Sequence, residues 1–306
     1  MVHSQEGSKE PLAKLWNIDN DEIPEYLNIE RKLIMVDGIL RSLLDNDNFS
    51  GTRIDVIRNK RFINTLNFTR ADEIKNLTQI NQYIDLLEFV KAFYSTTKLK
   101  SNLGGILKLT DVYNAAAIGY IDVEFNNIVI TSCLGDRSRN NGFLTAIKIY
   151  EPYPRLSFYD CGAGINNTSS NDMEPKVVVK QVVKEILAGD GIYSPSEING
   201  SIAVSSIGAH LCHSGLTTNV KCGYVKSLNR DGFFRNPTHF SDDISFTDAW
   251  SRRGDSGGPV FYYKDLMNVR LNGILATVIG DQISGIFVAV PLSSILKTIN
   301  INVVTT

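Results

Sequence analysis

Apolar positions in the first part of the chain recur at helical spacing. Leu27, Ile34, Leu40 and Leu44, with their apolar neighbours, predict helix over residues 11–45. Pro24, just after Asp21-Glu22, suits a first helical turn, where the N–H that proline lacks would be unpaired anyway. Asp45-Asn46-Asp47-Asn48 then breaks the pattern. Next comes an internal repeat: Arg53-Ile54-Asp55-Val56-Ile57-Arg58-Asn59-Lys60-Arg61-Phe62-Ile63 aligns with Tyr120-Ile121-Asp122-Val123-Glu124-Phe125-Asn126-Asn127-Ile128-Val129-Ile130. Each copy reads as strand, Asn-centred turn and strand, with apolar positions suited to one packed hairpin face. Helix-compatible sequence follows each copy, from Arg70 to about Leu109 and around Phe143 to Ile149, so two small α+β units are expected.

Residues 161–186 look like a linker, with Gly162-Ala163-Gly164 and Asn166-Asn167-Thr168-Ser169-Ser170 marking turns. Its last part, Lys176 to Ile186, suits either strand or helix. Beyond Ile198 the pattern is all-β. Ile202–Ile207, Val220–Leu228, Pro259–Tyr263, Val269–Ile279 and Ile286–Val290 are short β-rich runs separated by turn residues, as a small barrel requires. Pro291 opens a final helical run to Leu296. The chain therefore divides into a helical segment (1–50), an α+β domain with two repeats (51–160), a linker (161–186) and a β-rich domain (187–306).

Composition narrows the partners more than the chemistry. The 306 residues carry 31 Lys plus Arg against 33 Asp plus Glu, a net charge of −2, which gives no electrostatic reason to expect nucleic acid or an acidic membrane. No apolar run approaches a membrane span; Ser284–Leu292 is among the longest and is broken by Pro291. The N-terminus, Met1-Val2-His3-Ser4-Gln5-Glu6, lacks the hydrophobic stretch of a secretory signal. Neither a cofactor nor a metal is expected.

The candidate chemistry lies in Gly254-Asp255-Ser256-Gly257-Gly258-Pro259. A hydrolytic serine needs a base to take its proton and preorganised donors for the oxyanion that forms. Glycines flanking Ser256 let the Gly254 and Ser256 N–H groups point together at such a charge. The hexapeptide resembles the nucleophile signature of chymotrypsin-like serine proteases. A second run, Cys212-His213-Ser214-Gly215-Leu216-Thr217-Thr218 leading to Cys222-Gly223-Tyr224-Val225, is similar to that of the streptogrisin and α-lytic protease group. Leu187-Ala188-Gly189-Asp190-Gly191-Ile192-Tyr193-Ser194 resembles the place where the mature enzymes of that group begin.

The resemblance implies an α+β pro-region-like N-terminal part, its repeated hairpins similar to those of the group's pro-regions, followed by an all-β trypsin-like half-barrel with a C-terminal helix. An unrelated α+β domain remains the alternative for the N-terminal part. The resemblance further implies Ser256 as nucleophile, the Gly254 and Ser256 amides as oxyanion hole and a Cys212–Cys222 disulfide. It also implies that Ala276, Thr277 and Val278 lie on a strand that pairs with substrate backbone, although an ordinary barrel strand explains that run equally well. Trp250 would border the specificity pocket, and Asp255 is not cast as the orienting acid. Polypeptide substrate, an intramolecular contact with the pro-region and an extracellular setting are the partners and location it implies.

The departure from the pattern is as specific as the match. Ser196 runs almost directly into Asn199-Gly200-Ser201-Ile202, which already resembles the approach to the second barrel, so the first barrel with its histidine and aspartate is expected to be missing. Of the four histidines, His3 sits in a polar terminus and His239 in a loop-like stretch, while His210 and His213 flank Cys212 and are both expected on the face opposite it. No orienting aspartate can be named. Three readings follow: a secreted endopeptidase precursor, cleaved near Ile186 to Ala188 and acting through Ser256, which the missing histidine opposes and leaves inactive or truncated in this copy; a non-catalytic derivative that binds or helps fold intact relatives, with an apolar barrel face left exposed; or the product of a gene from which a segment was excised. Cys133 and Cys161 read as a second disulfide or as two small buried hydrophobes; the second is preferred, since spacing does not establish pairing.

Overall fold

Asn17 decides the first departure from the expected pattern. It adopts a left-handed conformation (φ 56°) and returns its N–H to the Ala13 carbonyl, so helix α1 (Pro11–Trp16) ends there instead of running on to residue 45. A 3₁₀ turn at Asn20–Glu22 leads into α2 (Ile23–Arg41), with Pro24 in its first turn. The computed structural model describes residues 9–159, 185–186, 196–201, 203–228, 231–236, 239–241, 243–280 and 284–298.

The duplicated hairpins share their turn chemistry. Strands β1 (Phe49–Asp55) and β2 (Lys60–Thr65) pair Asp55 with Lys60. Helices α3 (Phe68–Lys75) and α4 (Thr78–Asn81) follow, then β3 (Leu87–Lys91), and α5 (Thr96–Val112) opens the second copy. There β4 (Ala117–Asp122) and β5 (Asn127–Cys133) pair Asp122 with Asn127, and α6 (Asn141–Ala146) and β6 (Arg155–Tyr159) complete the unit. In both turns the Asp carboxylate accepts from the amide three residues on, Arg58 in one and Phe125 in the other, and the next residue, Asn59 or Asn126, takes positive φ (50° and 49°). The helix expected from Arg70 to Leu109 is interrupted by β3. A parallel partner for β2 and the cap made by Ser95, which accepts from Lys98 N–H, override local helical preference there.

The β-rich part comprises β7 (Glu185–Ile186), β8 (Ser196–Ser201), β9 (His210–Gly215), β10 (Asn219–Ser227), β11 (Gly232–Asn236), β12 (His239–Ser241), β13 (Ser245–Thr247), β14 (Pro259–Tyr263), β15 (Asn268–Gly280) and β16 (Gly285–Pro291), then helix α7 (Leu292–Thr298). Of Ile202–Ile207, expected as a strand, the described residues 203–207 form none and lie between β8 and β9, while Ile202 lies outside the described residues. Six strands close a barrel in the order β9-β10-β13-β16-β15-β14 and back to β9, while β8 and β7 extend from the first part of β15. Of the expected linker, only Glu185–Ile186 lies within the described residues.

The hairpin β11–β12 leaves the barrel and joins the second repeat. Strand β11 pairs antiparallel with β4, giving one five-stranded sheet in the order β12-β11-β4-β5-β6. Gly119 permits this approach, because a Cβ there would lie 2.5 Å from the Phe233 ring.

Three apolar clusters explain why the parts pack as they do. Leu211, Val225, Val260, Leu275, Phe287 and Ala289 fill the barrel. On its outside, Trp16, Leu27 and Leu33 share one core with Cys212, Val220, Phe261 and Val269. Ile118, Tyr120 and Val129 of the second hairpin pack with Phe246, Ile286 and Val288. The apolar barrel faces expected to be exposed are thus covered by the chain's own N-terminal elements. Polar joints reinforce the packing: the buried Asp37 carboxylate accepts from Arg41, Thr52, Arg61 and, across to the barrel part, Ser206.

Candidate functional site

The Gly254–Pro259 run forms a tight turn leading into β14, and its shape is fixed from beneath by Asp255. This carboxylate is 1% exposed. Its Oδ1 accepts from the Thr217 and Thr218 amides at 2.7 and 3.1 Å. Its Oδ2 accepts from the Thr218 hydroxyl at 2.7 Å, the Arg252 amide at 2.9 Å and the Ser251 hydroxyl at 3.1 Å. Burial pushes the carboxyl up, but the bonds from Arg252, Thr218 and Thr217 outweigh it and hold the group below its usual value. A buried anion is held here by five neutral donors, with no salt bridge among the described residues.

With Asp255 drawn inward, the following serine faces out. Ser256 is exposed, and Gly254 takes φ +99°, a conformation that excludes other side chains here because a Cβ would also lie 2.5 Å from Thr217 Oγ1. The Asp255 amide donates to Arg252 O, Gly257 to Leu275 O and Gly258 to Asp255 O. The Gly254 and Ser256 amides have no acceptor among the described residues, which leaves two N–H groups free beside the hydroxyl. Such a pair can receive a developing oxyanion.

Strand β15 passes next to this turn through the Leu275 pairing. A register shift between Leu275 and Thr277 places Ala276, which is exposed, at a bulge. Thr277 and Val278 pair with β16 on one edge, and no described strand pairs with their other edge. Trp250 stands near the same turn, flanked by the Arg252 guanidinium at 4.7 Å and the Lys221 ammonium at 5.7 Å from its ring centroid.

The strand histidines serve structure and lie on opposite faces of β9. His210 shares the face of Cys212, two residues away, contrary to the expectation that both turn from it; period-two alternation places only His213 opposite. His213 is fully buried, its Nε2 lies 3.1 Å from Trp250 O, and its ring meets Phe287 edge-on. Burial pushes this imidazole below its ordinary value, against the Trp250 bond and the Asp255 charge, so it is neutral near pH 7 and Nε2–H donates to the carbonyl. His210 receives the Tyr263 N–H on Nε2 at 2.9 Å, so its proton sits on Nδ1 and is donated to Glu30 at 2.6 Å. Tyr262 donates to the same Glu30 oxygen at 2.9 Å, and its ring stacks on the imidazole. His239 lies in β12, in the shared sheet, instead of a loop; His3 and the His239 side chain fall outside the described residues. No described imidazole contacts Ser256.

Sequence reasoning did not find Glu30, 180 residues from His210, because nothing local marks that pairing. Thr217 and Thr218 belong to a recognisable motif, but nothing local marks their bonds to Asp255. Cys212 and Cys222 face each other in register across β9 and β10 and form a disulfide. Cys133 is disulfide-bonded as well, which corrects its reading as a buried free thiol; Cys161 lies outside the described residues. No helix among the described residues is long and apolar enough to cross a membrane.

Solved structures similar to this chain are bacterial chymotrypsin-like serine proteases, at low identity over about 40% of the chain. Thermobifida fusca Protease A matches at 25% identity and TM-score 0.36 over 41% of this chain and 63% of its own. Cellulomonas bogoriensis chymotrypsin matches at 23% and 0.35 over 40% and 62%, and Nocardiopsis protease at 20% and 0.33 over 38% and 58%. The matched region spans less than two thirds of each of these proteases, and overlap this partial does not assign a function. No family model matches the sequence, and no curated protein matches it.

Proposed function

We propose that this chain is a serine-peptidase derivative whose nucleophile turn is built but not armed, and which engages polypeptide along the free edge of β15 without cleaving it. The supporting observation is the histidine inventory: His210 and His213 are fully buried and hydrogen-bonded elsewhere, while Ser256 is exposed beside two unpaired amides. With no base beside it among the described residues, the hydroxyl keeps its proton and remains a weak nucleophile. The turn nonetheless keeps the features of a peptidase site: Gly254 and Ser256 amides for an oxyanion, and Ala276, Thr277 and Val278 along a strand edge able to pair with extended peptide. The N-terminal elements act as a retained pro-region, the second repeat held by the β4–β11 pairing and α2 by the Glu30–His210 contact. This reading makes the protein a binding or folding partner of intact proteases in an extracellular setting.

A fluorophosphonate probe tests the absence of activation. No labelling of Ser256 is expected at pH 7–8, under conditions in which an active serine protease control labels fully. Labelling that disappears in Ser256→Ala overturns the reading and restores an endopeptidase precursor.

A further inference from the structure

A second concave site lies at the other end of β14 from the Ser256 turn. Its cavity of about 200 Å³ is lined by Arg31, Ile34, Val204, Ala209, Tyr262, Lys264 and Arg270, among others. Tyr262 and Arg270 are cross-strand partners on β14 and β15, and Lys264 follows Tyr262 by two residues, so alternation places all three on one face. Helix α2 supplies the opposite wall, with Arg31 and Ile34 one turn apart. Three cations therefore converge on a small apolar chamber whose lining, among the described residues, includes no carboxylate. The adjoining carboxylate, Glu30, is buried behind Tyr262 and already accepts from His210 and Tyr262. Arg31 uses Nε and Nη2 on its own helix, at Leu27 O and Asn28 Oδ1, which leaves Nη1 for a ligand. Lys264 and Arg270 have no side-chain ion pair or hydrogen bond among the described residues.

We propose that this pocket binds a carboxylate carried on a compact apolar group, such as a short fatty acid or a peptide's C-terminal apolar residue. The anion would sit between Arg270, Lys264 and Arg31, where guanidinium and ammonium donors form charge-assisted hydrogen bonds, and the apolar body would lie against Ile34, Val204 and Ala209. The volume limits the buried body to roughly one large side chain, below the usual range for drug-sized ligands. The site is independent of Ser256 and requires no chemistry.

Isothermal titration of the full chain tests this with four probes: octanoate, octanol, a peptide ending in Ala-Leu-Leu with a free carboxylate, and the same peptide as its amide. At least one carboxylate should bind ten-fold or more tightly than its uncharged counterpart. Its affinity should fall ten-fold or more in both Lys264→Gln and Arg270→Gln, and should weaken as salt is raised. Octanoate alone binding identifies a free acid, and the peptide alone identifies a chain terminus. Circular dichroism melts of the variants control for folding. Carboxylates that bind no better than their neutral counterparts, or equally well in correctly folded variants, overturn the proposal.

Discussion

Replacing Asp255 by Asn isolates the feature that shapes the candidate site. The amide oxygen can still accept from Thr217 and Thr218 N–H, now without charge. The amide nitrogen takes the place of Oδ2, where three donors converge. The hydroxyls of Thr218 and Ser251 can rotate and accept from it. The Arg252 amide cannot, and a buried unpaired donor costs about 1–3 kcal/mol. Weakening the other four bonds adds a comparable amount, since hydrogen bonds to an ion are worth roughly twice neutral ones. Asp255→Asn should therefore destabilise the protein by about 3–5 kcal/mol, read as a lower urea midpoint with unchanged slope.

The pH dependence provides an independent measure of the same interaction. Because the folded carboxyl is held below its ordinary value, the stability it contributes is complete above the unfolded value of about 3.9 and is lost as pH falls through the depressed one. The gap between wild type and variant should stay level from pH 5 to 8 and narrow progressively as pH falls below about 4. A gap under about 0.5 kcal/mol at pH 7, the range of an ordinary surface change, or one that does not narrow at all between pH 5 and pH 2.5, would refute the reasoning.

Two further substitutions probe the joints between the N-terminal elements and the barrel. Glu30→Gln places an N–H₂ group against either the Nδ1–H or the backbone N–H of His210, both of which donate to Glu30, and the imidazole cannot switch tautomer without turning Nε2–H toward the Tyr263 N–H. A loss of about 3 kcal/mol in unfolding free energy is expected, and nitrogen-15 NMR of wild type should report the Nδ1–H form; an Nε2–H form would contradict it. Gly119→Ala drives a methyl group into the Phe233 ring and should cost about 2–3 kcal/mol. Unfolding measurements on the double variant Gly119→Ala/Phe233→Leu should show partial recovery if the β4–β11 contact is the cause.

Features fixed within a dozen residues were legible in the sequence. The two Asn-centred turns repeat because each needs only an Asp acceptor and an Asn that tolerates positive φ. The Cys212–Cys222 pair followed from a motif whose hairpin register sets the cysteines opposite each other. The Gly254–Pro259 run marked a turn because its glycines admit the positive φ seen at Gly254 and Gly257, whereas the outward placement of Ser256 depends on the contacts that draw Asp255 inward. Tertiary structure decided the rest. Strand β3 exists through its parallel pairing with β2, which leaves no local period to read. Closure of the barrel, addition of β11 to β4 and burial of the barrel's outer faces by α1, α2 and the second hairpin join residues far apart in the chain. The fate of the histidines belongs to this second kind. A histidine becomes a base or a structural strut according to what meets its ring nitrogens, and for His210 those partners, Glu30 and Tyr263, come from opposite ends of the sequence.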